Sequence, residues 1–249
     1  MNNSFILTLI LLSTLTLKSQ NTKVIFVKYK MSTYNNDVVR KNENISNKDK
    51  EMLNEVKNIF DEIEFNLFIK NDKSIFKITE QLNKSDDYPQ HKIFKNILSG
   101  GNYYYDKKNK EIINSVEFEG EKFNIIGLND KYNWQITSEK KIIDGYECIK
   151  AICHVESYQK FRDKTISLDP YVWFAPVLAY PFGPKDANGL PGLILEACFN
   201  SKTYYYATAI NFDHQASNLN FDRPENGKYL SKEEFDAIQI KLINEKMQK

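Results

Sequence analysis

The chain has 249 residues, long enough for one domain with a sizeable buried core, and its 34 Lys and Arg are matched by 33 Asp and Glu. That balance argues against a nucleic-acid binder or a polybasic membrane-surface protein, which need a net positive field, and 41% hydrophobic residues argue against disorder. Only three cations are Arg (Arg40, Arg162, Arg223), leaving little material for the bidentate forks that read phosphates or bases.

Residues 1–20 hold an apolar run from Phe5 to Leu17, broken only by Thr and Ser, and Lys18 is their only charge. The run is shorter than the ~20 residues that cross a bilayer and fits the apolar part of an export signal. The expected organisation is a signal peptide over 1–20 and a single β-rich domain over 21–249, bound for the periplasm, the outer membrane or the exterior. No Cys near the cut offers a thiol for a lipid anchor, and no later stretch is apolar enough to span a membrane. Met1 to Ser4 lack Lys and Arg, and Leu17-Lys18-Ser19-Gln20 is not an A-x-A site. A buried N-terminal strand or helix is therefore the alternative.

Beyond Asn21 apolar side chains alternate at period two, the signal of half-buried strands. Ile25, Val27, Tyr29 and Met31 make one face of a first strand. Met52, Val56, Ile59 and Phe60 recur at helical spacing and predict a short helix over about 48–60. Ile63, Phe65, Leu67 and Ile69 form the next strand, and Asn71-Asp72-Lys73 turns it into 74–80 as a hairpin. A second hairpin joins 103–106 to 111–118, and 122–126 follows. Tyr132, Trp134 and Ile136 predict another strand, with more at 146–156, 165–168, 171–174, 193–199 and 203–212. Ser231-Lys232-Glu233-Glu234 spells a capping box opening a helix with Phe235, Ile238, Leu242 and Ile243 on one side. Covering the sheet is its expected role, and docking a partner is the alternative. About ten strands without intervening helices predict a mainly β fold: a curved antiparallel sheet or half-barrel, with a short helix in the N-terminal half and a C-terminal helix.

An exported chain with Cys148, Cys153 and Cys198 can form at most one disulfide. Cys148 and Cys153 lie ~16 Å apart along one strand, against the ~4.4 to 6.8 Å between bridged Cα atoms, so any bridge uses Cys198. Cys148 shares a face with Lys150, and Cys198 lies beside Glu196 on the mixed face of its own strand. Matching faces favours Cys148 with Cys198 and leaves Cys153 a buried thiol; three free buried thiols are the alternative.

Trp173 to Ile194 concentrates turn chemistry, with Pro at 176, 181, 184 and 191 and Gly at 183, 189 and 192. Pro191-Gly192 suits the centre of a type II turn, with Gly192 at φ > 0, and Gly183-Pro184 reads as a second tight turn. An elaborate connection between strands is one reading, a ligand-facing loop the other. The string Gly189-Leu190-Pro191-Gly192-Leu193-Ile194 spells the motif that names the GLPGLI family of exported proteins of Bacteroidetes-type bacteria. The chain resembles that family further in Asp144-Gly145-Tyr146-Glu147-Cys148 followed by Lys150-Ala151, and in Trp173-Phe174-Ala175-Pro176 with Gly183-Pro184. The resemblance implies export, a mostly β fold and an envelope role, and supplies no catalytic residues. Where the family often has an aromatic residue and Gly before the hexapeptide, this chain has Lys185-Asp186-Ala187-Asn188.

Nucleophilic catalysis would want a strained G-x-S-x-G elbow, and none occurs. His91, His154 and His214 fall in different elements, and Cys148, Cys153 and His154 lack zinc spacing. No catalytic residue, metal or cofactor is therefore expected; His154 reads as solvent-facing, with a base or metal role as the alternative. Glu196, if buried, needs a partner, and Lys150 is the expected one. Gly100-Gly101 reads as a hairpin signal rather than a phosphate loop. Tyr103 to Tyr105 and Tyr204 to Tyr206 place rings on both faces of their strands, as half-exposed sheets do, a glycan-stacking platform being the alternative. The functional expectation is a non-enzymatic binding or carrier module for an apolar ligand or an outer-membrane transport partner. A hydrolase acting on envelope polymers is the rival.

Overall fold

The structure, a computed structural model, describes residues 23–33, 63–79, 100–159, 163–201, 203–215 and 219–247. The expected signal segment 1–20 and the helix over 48–60 lie outside the described residues. Among the described residues fourteen strands and one helix follow in order: β1 (Val24–Thr33), β2 (Glu64–Lys70), β3 (Lys73–Ile78), β4 (Asn102–Asp106), β5 (Glu111–Phe118), β6 (Glu121–Gly127), β7 (Gln135–Ile143), β8 (Tyr146–Ile152), β9 (Val155–Gln159), β10 (Lys164–Leu168), β11 (Tyr171–Ala175), β12 (Leu193–Cys198), β13 (Thr203–His214), β14 (Lys228–Ser231) and α1 (Lys232–Met247). Twelve strands form one open sheet in the order β14-β6-β5-β4-β3-β2-β1-β13-β12-β11-β8-β7, and β9 with β10 make a separate hairpin.

Period-two alternation becomes a core because the registers align. Val27, Leu67, Phe76, Tyr103, Asn114, Ile125 and Leu230 face one another in a single row across seven strands, with only Asn114 polar. Ile25, Tyr29, Met31, Phe65 and Ile69 share this face and are buried in one cluster with Trp173, Phe182, Leu193 and Leu195. The opposite face is covered near β1 to β3 by Phe221, which packs on Val24 and Phe68. The segment from Leu219 to Gly227 then crosses that face to reach β14.

Three expectations change. The sheet is not wholly antiparallel: β14 runs parallel to β6, and a strand of four residues is too short to show alternation. The strand expected over 146–156 breaks into β8 and β9 at Cys153-His154. Cys153 N–H donates to the Pro170 carbonyl at 3.0 Å, and Pro170, with no N–H, returns no ladder bond. Tyr132 and Trp134 precede β7 instead of forming it. They stack at 5.0 Å, and Trp134 Nε1 donates to the Asn188 carbonyl at 3.2 Å. β7 itself is an edge strand with Ile136 and Ile142 exposed, so burial imposes no alternation on it. Strands β12 and β13, for their part, pair only at Glu196, Ala197 and Cys198 with Tyr206, Tyr205 and Tyr204, and then part.

The parting exposes hydrogen-bonding groups on β12 that are refilled from elsewhere. Ile194 N–H donates to the Phe182 carbonyl at 3.0 Å, and the Ile194 carbonyl accepts from the buried Tyr29 hydroxyl at 2.6 Å. Meanwhile β13 continues to His214 along β1. At the far end the capping box forms as expected, with Glu234 N–H donating to Ser231 Oγ at 3.1 Å and Ser231 N–H to Glu234 Oε2 at 2.7 Å. Phe235 and Ile238 seat α1 on Phe123 and Ile125. Tyr29→Phe removes the only described donor to a buried carbonyl and is expected to lower unfolding stability by ~1–3 kcal/mol. Urea unfolding followed by Trp fluorescence checks this, and an unchanged midpoint contradicts it.

Candidate functional site

The Pro- and Gly-rich stretch from Trp173 to Ile194 converges on one clamp. Trp173, Phe182, Gly183, Pro184, Leu190, Gly192, Leu193 and Ile194 are buried, while Pro176, Gly189 and Pro191 face solvent. The expected type II turn is not what forms: Gly192 lacks a left-handed φ, which Gly189 has instead, at +86°. Gly192 N–H closes on the Leu190 carbonyl at 2.8 Å, a three-residue turn centred on Pro191, whose fixed φ suits it. Gly192 is needed for close approach, since a Cβ there would lie 2.3 Å from the Ala175 carbonyl oxygen. At Gly183 a Cβ would lie 2.7 Å from Ile194 Cβ. Leu193 N–H donates to the Leu178 carbonyl at 2.9 Å, and Gly189 N–H to that of Pro181 at 3.3 Å. Gly192→Ala must displace backbone and is expected to cost about 1–3 kcal/mol, lowering Tm by several degrees in a thermal melt, while Val177→Ala at an exposed site leaves Tm unchanged. An equal Tm for both variants contradicts the clamp.

The three cysteines are free and buried. The expected bridge from Cys148 to Cys198 does not form: the two share a face, but β11 separates their strands, and two strand spacings, ~9.6 Å, exceed bridging distance. Glu196 takes Lys141 at 2.8 Å rather than the expected Lys150, which pairs with Glu139 at 3.0 Å. Lys141 also lies 4.5 Å over the Trp173 ring. Burial pushes the Cys148 and Cys153 thiols up to about 11. The folded state therefore keeps protons that an unfolded thiol releases, a contribution present below the ordinary pKa near 9 and lost as pH rises toward 11. At pH 7.5 neither thiol is expected to react with a bulky disulfide reagent until the chain is denatured; rapid titration of both in the native protein contradicts this.

A polar cluster sits on the same clamp. The Asp186 carboxylate accepts from Lys131 Nζ at 2.6 Å and from the Tyr132 hydroxyl at 3.2 Å. Lys185 adopts a left-handed φ of 56°, rare for a residue with a Cβ, and holds Nζ 5.1 Å over the Tyr205 ring. Burial lowers the Lys185 pKa, and the Asp186 charge only partly offsets it. Burial raises Tyr103, Tyr132 and Tyr205, with Asp186 adding to each. Displaced pKa values gathered around one carboxylate mark a site worth chemical attention. In the sequence Lys185 and Asp186 stood out only as a departure from the GLPGLI pattern the chain resembles, and Tyr103, Tyr132 and Tyr205 only as strand positions.

On the opposite face, the segment 219–227 and strands β3 to β6 enclose a half-open cleft of about 600 Å³. Its lining includes Ile75, Tyr104, Phe123, Asn102, Asn226 and Arg223. Arg223 is engaged by Glu111 at 2.9 Å and stacks 3.9 Å over Tyr229. Asn124, also in the lining, accepts from Ser115 at 2.7 Å and donates to the Asn226 carbonyl at 3.1 Å. Sequence reasoning missed the cleft because its two walls, Ile75 to Asn124 and Asn220 to Asn226, are far apart in the chain. Elsewhere, His154 Nδ1 lies 2.8 Å from Asp169 Oδ1, with Ser167 Oγ 3.4 Å from Nε2, in water at the base of the β9–β10 hairpin. Among the described residues no group of His, Cys, Asp and Glu is placed to hold a metal, and no helix is long and apolar enough to cross a membrane.

The architecture defines a mainly β protein built on one large open sheet. Two solved structures are similar to it. The structure of PNGF-II in space group P21 aligns with a TM-score of 0.54 and 16% identity, covering 87% of this chain and 33% of the other. PNGF-II in space group C2 gives 0.51 and 19%, covering 88% and 32%. The chain thus spans about a third of PNGF-II, and at this identity the likeness shows the fold alone. No family model matches the chain, and neither does any curated protein.

Proposed function

We propose that the chain is an exported GLPGLI-type envelope protein that acts as a binding or carrier module, its sheet curved into a half-barrel. What supports the curvature is the Tyr29 hydroxyl reaching the Ile194 carbonyl at 2.6 Å although β13 lies between their strands. Side chains from β1 to β5 and from β8, β11 and β12 also meet in one cluster. That shared face is filled by its own aromatic rings, so the ligand seat we propose is the cleft under residues 219–227.

The observation that carries the binding reading is how the cleft's polar groups are held. Arg223 is fixed by Glu111 and by the Tyr229 ring, a pre-set rim group that orients a ligand, over a floor where buried Asn124 is held by Ser115 and the Asn226 carbonyl. Beside it Ile75 and Tyr104 offer apolar wall. This combination suits an amphiphile, with apolar surface against the wall and a polar head at the rim. An outer-membrane transport protein is the partner class that an envelope carrier of this kind would serve. Native mass spectrometry of protein purified from its exported form should find a bound amphiphile, and Asn102→Trp at the mouth should abolish it without lowering Tm. Retention of the ligand by Asn102→Trp would place the seat elsewhere, and an empty protein would remove the carrier reading.

The hydrolase reading has one specific observation, the Ser167, His154 and Asp169 contacts, whose connectivity matches nucleophile, base and orienting acid. They stand in water, where developing charge is poorly stabilised by fixed dipoles. A fluorophosphonate probe is expected to leave Ser167 unlabelled; labelling that His154→Ala abolishes would put the hydrolase first.

A further inference from the structure

The cleft under residues 219–227 carries more negative charge than its own walls match, and the sign of that excess bears on what it holds. Its lining contains the acids Glu117, Asp222 and Glu225 and the cations Lys122 and Arg223. Arg223 is already taken, because its Nε donates to both oxygens of Glu111, at 2.9 and 3.1 Å. Glu117 stands directly opposite Lys122 across β5 and β6, so those two charges offset. What is left is Asp222 and Glu225, which flank Arg223 in the crossing segment.

No neighbouring element supplies the missing cations. Among the described residues neither the Asp222 nor the Glu225 carboxylate has a hydrogen-bond or ion-pair partner. Lys73 feels the Asp222 charge but is shared with buried Asp106 at 3.9 Å, and Lys228 is spent on Glu121 at 2.6 Å. With these neighbours included, six carboxylates stand against four cations, which leaves two negative charges in excess. A ligand entering the cleft displaces the water that screens them, so the charge on its head decides whether that displacement costs or gains.

We propose that the cleft takes an amphiphile whose head is an ammonium group without a compensating phosphate, its alkyl chain on Ile75 and Tyr104 and its nitrogen donating to the Asp222 and Glu225 carboxylates. This rests on the carrier reading above and adds the sign of charge that the carrier selects. A fatty acid or an anionic phospholipid would bring more negative charge to a mouth that already has an excess of it. A sugar head would find hydrogen-bond partners there but would leave the two carboxylates unmatched.

Octylammonium, octanoate and octyl glucoside share a chain and differ in head charge. Titrated into the purified protein below their micellar concentrations and read by the amide shifts of Ser115, Asn124 and Asn226, they test the assignment. Octylammonium should bind about tenfold tighter than octyl glucoside, and octanoate more weakly than either. The double variant Asp222→Asn with Glu225→Gln should erase that preference while octyl glucoside binds as before, and Asn102→Trp should block both. Equal affinity for octylammonium and octyl glucoside, or a preference that survives the double variant, overturns the ammonium head and leaves the carrier reading standing. Saturable shifts that persist in Asn102→Trp, or none with any of the three, overturn both.

Discussion

The parting of β12 from β13 is the constraint on which the rest of the structure depends. A strand that leaves its neighbour exposes N–H and C=O groups, and buried groups of that kind must find other partners. Here the Ile194 carbonyl takes the Tyr29 hydroxyl, and the Ile194 N–H takes the Phe182 carbonyl. Both replacements need the connection after β11 to lie tight against the sheet. Gly192 passing the Ala175 carbonyl and Gly183 passing Ile194 are what permit that approach. The glycines at 183 and 192 are thus a packing requirement, and conformational freedom matters at Gly189, where φ is left-handed.

Two further features follow from the clamp. Phe182 is carried onto the shared apolar face, where its ring meets Tyr105 edge-on at 5.8 Å and helps close the core. The same connection places Lys185 and Asp186 beside Tyr103, Tyr132 and Tyr205, so a polar cluster forms in surroundings that displace its proton equilibria. Structural and chemical demands therefore meet in one stretch of about twenty residues. The cleft on the opposite face has a different origin. It exists because the chain must cross the sheet after Phe221 to pair β14 with β6.

Much of the sheet was legible from alternation, because strands with one buried face repeat every two residues. β1, β2, β3 and β4 to β6 lie close to where Ile25 to Met31, Phe65 to Ile69 and Tyr103 to Ile126 place them. The exceptions share a physical cause: where burial does not differ between faces, no pattern is written. Edge strand β7 carries Ile136 and Ile142 in solvent, and β14 is four residues long. The Cys148 and Cys198 pairing failed for another reason. Sharing a face says nothing about how many strands lie between, and strand order is a long-range property that a local pattern does not encode. Likewise Lys141, from the unrecognised half of β7, displaced Lys150 as the partner of Glu196. The Asp186 cluster and the cleft were invisible because each joins residues distant in the chain.

Amide hydrogen exchange at Leu193 and Ile194 tests the clamp most directly. If these N–H groups are bonded to the Leu178 and Phe182 carbonyls under a packed loop, they should exchange as slowly as the central amides of β1, such as Val27. Exchange as fast as at exposed Val177 would mean that the loop does not hold β12, and the account of the fold built on that hold would be wrong.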